Sequence, residues 1–515
     1  MKKQIFKNVL SNYFVSVLSI VLGFVLVPFL VRKLGKEAYG LIALVDSTII
    51  FFEVATVGIR TALARHATFA LSQGDENDFL EYLSTGRVLL FVCALFVLIA
   101  GGVISFYFPS LFKVPPELAT QSRLLFLFVT IGFAISVPNT VFWSVLYSKQ
   151  RYDLINFAAS FGTVTRALAL FVLFSSLSGP YVSLATYGVV YILFTWVQNT
   201  MIYFFHKSII PGVRIGLNRF NPLKVRSILS FTVYTSLQRL SSMFVGNATN
   251  ILINIFYGAA SNAIYSISTK FPTMMRRIFT EATWSLTPTF TDLAAKNDRQ
   301  RLKRLFFMYT KLLIIVTAPI CLLLLLFGKQ LIVLWVGKEF LMSGELVALY
   351  TAPLLAGIPF AVCGCINNAY GNLKVPSQVG IFYSVFNVVS GVVLAKWFSM
   401  GLYGFGLSNL ISAFLYTALF QPYYACRTAS ISLRSYLVDS VFTPSAPVLA
   451  IFGAAWGWLL FFPMKLEVSF LHLAGWMSAL LVSSYLAAYF FSLNTDEKQY
   501  IHQVLEMVRK KWERA

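Results

Sequence analysis

Apolar runs of about twenty residues or more recur along almost the whole chain, and no other feature restricts its fold as strongly. In a bilayer core no water can satisfy the backbone, so each run must bond its own N–H and C=O groups, as a helix does. Candidate spans begin near residues 8, 40, 86, 121, 154, 180, 227, 259, 305, 345, 376, 402, 440 and 467. The expectation is an all-α polytopic membrane protein of about 14 transmembrane helices. Composition agrees, since 58% of residues are hydrophobic and only 12% charged, values outside the soluble globular range. The first run, about 8–31, follows Lys2, Lys3 and Lys7. It is too long for a signal-peptide core and lacks a small-x-small cleavage site, so it reads as a retained first helix.

The formal net charge is +21. A nucleic-acid binder would gather such charge in a soluble domain, but the longest loops (66–85, 206–226 and 291–304 with their flanks) are only about twenty residues long. With both termini placed in the cytoplasm, the basic residues outside the spans fall mostly on the cytoplasmic side. The heaviest segments are 206–226 (Lys207, Arg214, Arg219, Lys224, Arg226), 296–304 (Lys296, Arg299, Arg301, Lys303, Arg304) and the C-terminal tail. That asymmetry favours an even number of spans. Arg32, Lys33 and Lys36 are a local exception on the outer side.

Three weak matches at nearly one offset indicate an internal repeat. VLS (9–11) is echoed by ILS (228–230), ALSQGDENDFLEYL (70–83) by LAAKNDRQRLKRLF (293–306), and YSKQRY (147–152) by YGNLKV (370–375). In the second pair Asp75 falls on Asp298. Both halves would start from the cytoplasm, as a parallel repeat about an axis along the membrane normal, with substrate expected between the lobes. The expected organisation is an N-lobe of six helices (1–205), a cytoplasmic linker (206–226), a C-lobe of six helices (227–426), a C-terminal helix pair (427–493) and an amphipathic tail helix (494–515). In the tail, Asn494 can cap the helix, with Glu497 three residues on. Its apolar stripe would lie on the cytoplasmic membrane surface.

Candidate chemistry lies in charges inside the spans. The segment GLIALVDSTIIFFEVATVGIRTALARH (40–66) carries Asp46, Glu53 and Arg60, seven residues apart and hence on one helical face with about 10 Å between neighbours. A charge near mid-span costs about 2.5–3.5 kcal/mol, so three on one face call for a wet cavity or a polar interior. Further basic residues inside spans are Arg166, Arg239, Lys270, Arg276, Arg277 and Lys311, against one more acid, Glu281. This excess suits an anion, and the arginine fork suits a diphosphate. Arg60, Arg239 and Lys270, with Arg166 and Arg277, are the candidate substrate-binding residues. Asp46, Glu53 and Glu281 are candidates for coupling to Na⁺ or H⁺ or for salt bridges that shape the cavity. A structural role is the other reading of the whole set, with Glu281 neutralising Arg277, and with Arg276 and Lys311 snorkelling to the surface. Pro272 is placed to bend the span that holds Lys270.

No GxxxxGK[ST] loop, HExxH motif or nucleophile elbow is present. Cys363-x-Cys365 has no second ligand pair nearby, so neither a metal site nor a catalytic residue is expected.

Several diffuse patterns together resemble a known family. They are NVLSNYFVSVLSIVLGFVLVPFLVRKLGKEAYGLIAL (8–44), VGIRTALARHATFALSQGD (57–75), YSKQRYDLIN (147–156), AIYSISTKF (263–271), LLFGKQLIVLWVGKEF (325–340) and GLYGFGLSNLIS (401–412). Over nearly its whole length the chain is similar to the Wzx-type O-antigen and capsule flippases of the multidrug/oligosaccharidyl-lipid/polysaccharide (MOP) superfamily. The resemblance implies a two-lobed transporter in the bacterial cytoplasmic (inner) membrane. It would move undecaprenyl-diphosphate-linked glycan to the outer leaflet by alternating access, without a cofactor and with polysaccharide polymerase and chain-length proteins as partners. Lipid II flippases share a basic cavity and stay open as an alternative, as does a MATE-like drug or cation antiporter, whose cavity should be acidic or aromatic. A membrane polymerase or glycosyltransferase fits less well, because the outer loops are short and hold few carboxylates.

Overall fold

The computed structural model describes residues 2–176, 183–211, 215–284, 286–495, 497–499, 502 and 506. Within these, no side chain is described at 2–6, 9–10, 55, 217, 233–235, 237–245, 280–282 and 284. Every described element is helical, and the chain divides into two compact units, Met1–Ser266 and Ile267–Ala515.

The first unit contains α1 (Lys2–Leu34), α2 (Lys36–Gln73), α3 (Glu76–Leu111), α4 (Ala119–Ser148), α5 (Tyr152–Ser176), α6 (Leu184–Ile209), α7 (Pro222–Tyr257) and most of α8 (Ala259–Ser268). Helix α2 is its hub, packing on α3, α4 and α7, while α5 bridges α1 and α6. Between helices in lipid, close van der Waals contact and hydrogen bonds replace the hydrophobic force, and both are visible here. Gly40 on α2 lies against the Ala259 carbonyl so closely that a Cβ would collide. The Asn250 amide donates to the Ala43 carbonyl at 3.1 Å, and the Asn262 amide to the Gly40 carbonyl at 3.2 Å. Leu63, Leu83, Leu90, Val141, Val145 and Ile228 fill the space below. Because α7 packs on α2, the first unit extends through Ser266.

The second unit contains α9 (Lys270–Trp284), α10 (Thr287–Ala295), α11 (Arg299–Val336), α12 (Leu341–Thr351), α13 (Leu354–Gly357) and α14 (Ala361–Ala369). It continues with α15 (Lys374–Lys396), α16 (Leu402–Ala413), α17 (Gln421–Thr428), α18 (Leu433–Leu437), α19 (Thr443–Phe461) and α20 (Phe470–Ala487). Its axis is α11, against which α12, α19 and α20 pack. Tyr436 is fully buried at its centre, stacked on Phe306 with ring centroids 4.3 Å apart and hydrogen-bonded to the Thr310 hydroxyl at 2.9 Å.

Helix occupies the described part of each expected span. Among the described residues, 11 helices are long and apolar enough to cross a membrane, or 12 if α2, bent by 44°, counts as one span. The expected span from 259 is broken into α8, α9 and α10. Pro272 stands in the first turn of α9, where its missing N–H is tolerated, and the chain breaks just ahead of it at Thr269. Breaks at Pro353 and near Pro359 likewise divide 341–369 into three helices.

The matched sequence pairs share their local structure. Gly74 (φ 76°) and Asn297 (φ 55°) both turn left-handed, and the next amides, of Asp75 and Asp298, bond back to the Ala70 and Leu293 carbonyls at 3.1 and 3.0 Å. The second pair behaves alike. Gln150 (φ 56°) and Gly371 (φ 70°) precede Arg151 and Asn372, whose amides bond the Leu146 and Asn367 carbonyls, each at 2.9 Å. All four are helix C-terminal caps closed by a six-to-one hydrogen bond.

Candidate functional site

In the first unit the charges on α2 meet aromatic residues of its neighbours. Arg60 is half-buried, with its guanidinium 4.9 Å from the ring centre of Trp143 on α4. Arg166 on α5, also half-buried, lies 5.5 Å from the ring centre of Tyr191 on α6. Tyr191 is within electrostatic reach of Asp46 and Glu53 as well as Arg166, and Tyr187, one turn earlier, is within reach of Asp46 and Arg166. The charges of Asp46, Glu53 and Arg166 thus all act on the tyrosine stripe of α6, and Arg60 lies farther along α2. Asp46 is exposed and Glu53 half-buried. Small residues let α6 approach: a Cβ at Gly132 would lie 3.0 Å from the Tyr191 ring, and one at Gly162 would lie 3.0 Å from Gln198.

An arginine stacked on a ring spends the face of its guanidinium there. Its N–H donors point outward in the guanidinium plane, the geometry that meets two phosphate oxygens at once. Arg60 over Trp143 and Arg166 over Tyr191 place their guanidinium carbons 4.9 and 5.5 Å from the ring centres, within cation–π range.

In the second unit Lys270 and Arg277 lie on α9, seven residues apart, with Lys270 half-buried and Arg277 exposed. Phe271 beside Lys270 packs edge-to-face on Trp335, 5.2 Å between ring centres. Arg276 is within electrostatic reach of Tyr383 on α15. Tyr383 begins a stack that continues through Tyr416, Phe420 and Tyr424 at centroid spacings of 5.0, 5.8 and 5.5 Å. The side chains of Arg239 and Glu281 lie outside the described residues, so the expected pairing of Glu281 with Arg277 does too. Lys311 does not snorkel: it is 7% exposed, and its Nζ bonds Glu497 at 2.7 Å.

Sequence reasoning missed the aromatic partners Trp143, Tyr187, Tyr191 and the Tyr383–Tyr424 stack. A signal for part of them exists: Tyr187, Tyr191 and Thr195 recur every four residues, as do Tyr416, Phe420 and Tyr424. Trp143 has no such signal, because its place beside Arg60 depends on how α4 crosses α2. Among the described residues no three His, Cys, Asp or Glu side chains converge as metal ligands.

Residues 29–345 match the model of a family described as polysaccharide biosynthesis protein. EpsK of Bacillus subtilis (strain 168), described as an uncharacterized membrane protein, is 23% identical over 447 residues, which is 86% of this chain and 87% of that protein. A Salmonella typhi protein named as an O-antigen transporter is 22% identical over 288 residues, 55% of this chain and 64% of that protein. Among solved structures, the lipid II flippase MurJ in an inward closed conformation superposes with a TM-score of 0.66 at 15% identity, covering 94% of this chain and 97% of that one. At that identity the likeness concerns the fold.

Proposed function

This chain is a multi-pass membrane protein of the polysaccharide biosynthesis family, and from that premise we propose that it is a flippase for lipid-linked oligosaccharide. Its cargo is a glycan repeat unit joined through a diphosphate to undecaprenol, carried by alternating access from the inner to the outer leaflet of the bacterial cytoplasmic membrane. Both termini are cytoplasmic in this reading. The product feeds polysaccharide polymerase and chain-length proteins in surface polysaccharide synthesis.

The observation that carries the reading is the pair of arginines stacked on aromatic rings inside apolar spans, Arg60 on Trp143 and Arg166 on Tyr191. A cation inside an apolar span is expensive and favours an anionic counterpart, and an arginine fork suits a diphosphate. Lys270, Arg277 and Arg239 are the further candidate cations for the anionic cargo. The stacked rings from Tyr383 to Tyr424 suit the apolar faces of sugars. Asp46 and Glu53, both within electrostatic reach of Tyr191, are the groups on which Na⁺ or H⁺ coupling rests. The family match and the relative named as an O-antigen transporter support a transporter over an enzyme.

Replacing Arg60 is the direct test. Arg60→Ala should abolish surface polysaccharide in a complemented deletion strain while membrane levels of the protein stay normal, and Arg60→Lys should restore only part of it. Full export by Arg60→Ala would remove the diphosphate assignment.

A further inference from the structure

Within the second unit, a cavity of about 1350 Å³ lies between the first turns of α11, the start of α19 and the segment after α20. Arg301, Lys303, Arg304 and Lys311 line it from α11, and Glu497 from the tail. None of the residues assigned above to the transported substrate takes part. We propose that this cavity is a separate binding site for the phosphate of an anionic phospholipid headgroup.

The carboxylates of the cavity already have partners within the protein. Asp298 accepts the Arg301 backbone N–H at 3.1 Å, capping α11. Asp439 accepts the Ser435 hydroxyl at 2.9 Å. Glu497 accepts from Lys311 at 2.7 Å and from the Asn494 backbone N–H at 2.8 Å. The exposed Arg301 and Lys303 thus face the cavity beside acids that are engaged elsewhere.

Lys311 makes this more than a surface patch. Its charge is almost wholly buried in the wall of the cavity, and Glu497 supplies the balancing negative charge. Glu497 comes from the tail, so a phosphate entering the cavity can take over both Lys311 and the outer basic pair.

The position of the cavity along α11 selects the source of the phosphate. The helix opens with RQRLKR (299–304) and turns apolar from Leu305 onward, where a headgroup layer gives way to acyl chains. Leu305 and Phe491, the latter 79% exposed, belong to the same cavity. Cationic groups above an apolar floor fit a phosphodiester that carries acyl chains better than free phosphate.

The test uses the full chain in nanodiscs of phosphatidylglycerol and phosphatidylcholine, with retained lipid identified by native mass spectrometry. The wild type should retain phosphatidylglycerol over phosphatidylcholine. R301Q/K303Q should lower that retention by roughly five-fold for each charge removed, while the charge-preserving R301K/K303R keeps it. E497Q, which removes the competing carboxylate, should raise it. Equal retention by wild type and R301Q/K303Q would overturn the site. Thermal stabilisation by inorganic phosphate that depends on Arg301 and Lys303, without selective retention of phosphatidylglycerol, would overturn the lipid as the source.

Discussion

At Gly74–Asp75 and at Asn297–Asp298 the chain makes the same left-handed turn and then starts a long helix with the same cap. Asp75 accepts the Asp78 amide at 2.8 Å, and Asp298 accepts the Arg301 amide at 3.1 Å. The residues that follow are opposite in sign. Glu76, Asp78 and Glu81 in α3 stand where α11 has Arg299, Arg301 and Arg304. The acidic copy clamps the start of α7: Lys224 bonds Asp78, lies 3.1 Å from Glu81 and sits over the Tyr82 ring at 4.2 Å. The basic copy lines the cavity closed by Glu497. The turn needs only a residue that tolerates positive φ and an aspartate after it. The charges beyond it take no part in the turn, so each copy has adapted them to its own neighbours.

Exchanging those charges should break the comparison most visibly. D78K/E81K would strand Lys224, whose side chain is 11% exposed, among like charges. The expected cost is about 2–3 kcal/mol, held to that level by the partly exposed carboxylates. In the basic copy, R301E/K303E reverses two exposed charges and should stay within about 0.5 kcal/mol. Unfolding in detergent followed by circular dichroism would separate the two. Equal costs would mean that the acidic copy holds nothing in place.

A smaller effect tests the shared half of the comparison. Asp75→Ala and Asp298→Ala should each cost about 1 kcal/mol, because both remove one side-chain cap of similar geometry. A large difference between them in the same unfolding assay would show that the two turns are not equivalent. The turn residues themselves give a last contrast. Gly74→Ala should lose about 1 kcal/mol at φ 76°. Asn297→Gly should change stability by a few tenths, since asparagine already tolerates φ 55°.

Local features were legible in the sequence and tertiary ones were not. The helix positions followed from apolar runs, and the offset between Asp75 and Asp298 led to a pair of matching caps. Asn494 and Glu497 were expected to form a capping pair, and the Glu497 carboxylate accepts the Asn494 amide. Proline at 272 marked the break before α9 but not its extent, which depends on what α9 and α10 pack against. The seven-residue spacing of Asp46, Glu53 and Arg60 showed that they share a face. It could not show that Trp143 and the tyrosines of α6 would meet that face. Lys311 was read as a surface-seeking lysine because its partner lies 186 residues away in the chain.

The central claim, that this protein moves a diphosphate-linked glycan, is tested most directly by the lipids of a strain lacking it. Lipid extracts analysed by mass spectrometry should contain accumulated undecaprenyl-diphosphate-linked oligosaccharide, facing the cytoplasm and cleared by the wild-type chain but not by Arg60→Ala. Accumulation of lipid II would transfer the claim to that cargo. No accumulation of either lipid, together with new sensitivity to cationic drugs, would contradict it, leaving Arg60 and Arg166 as structural partners of Asp46 and Glu53.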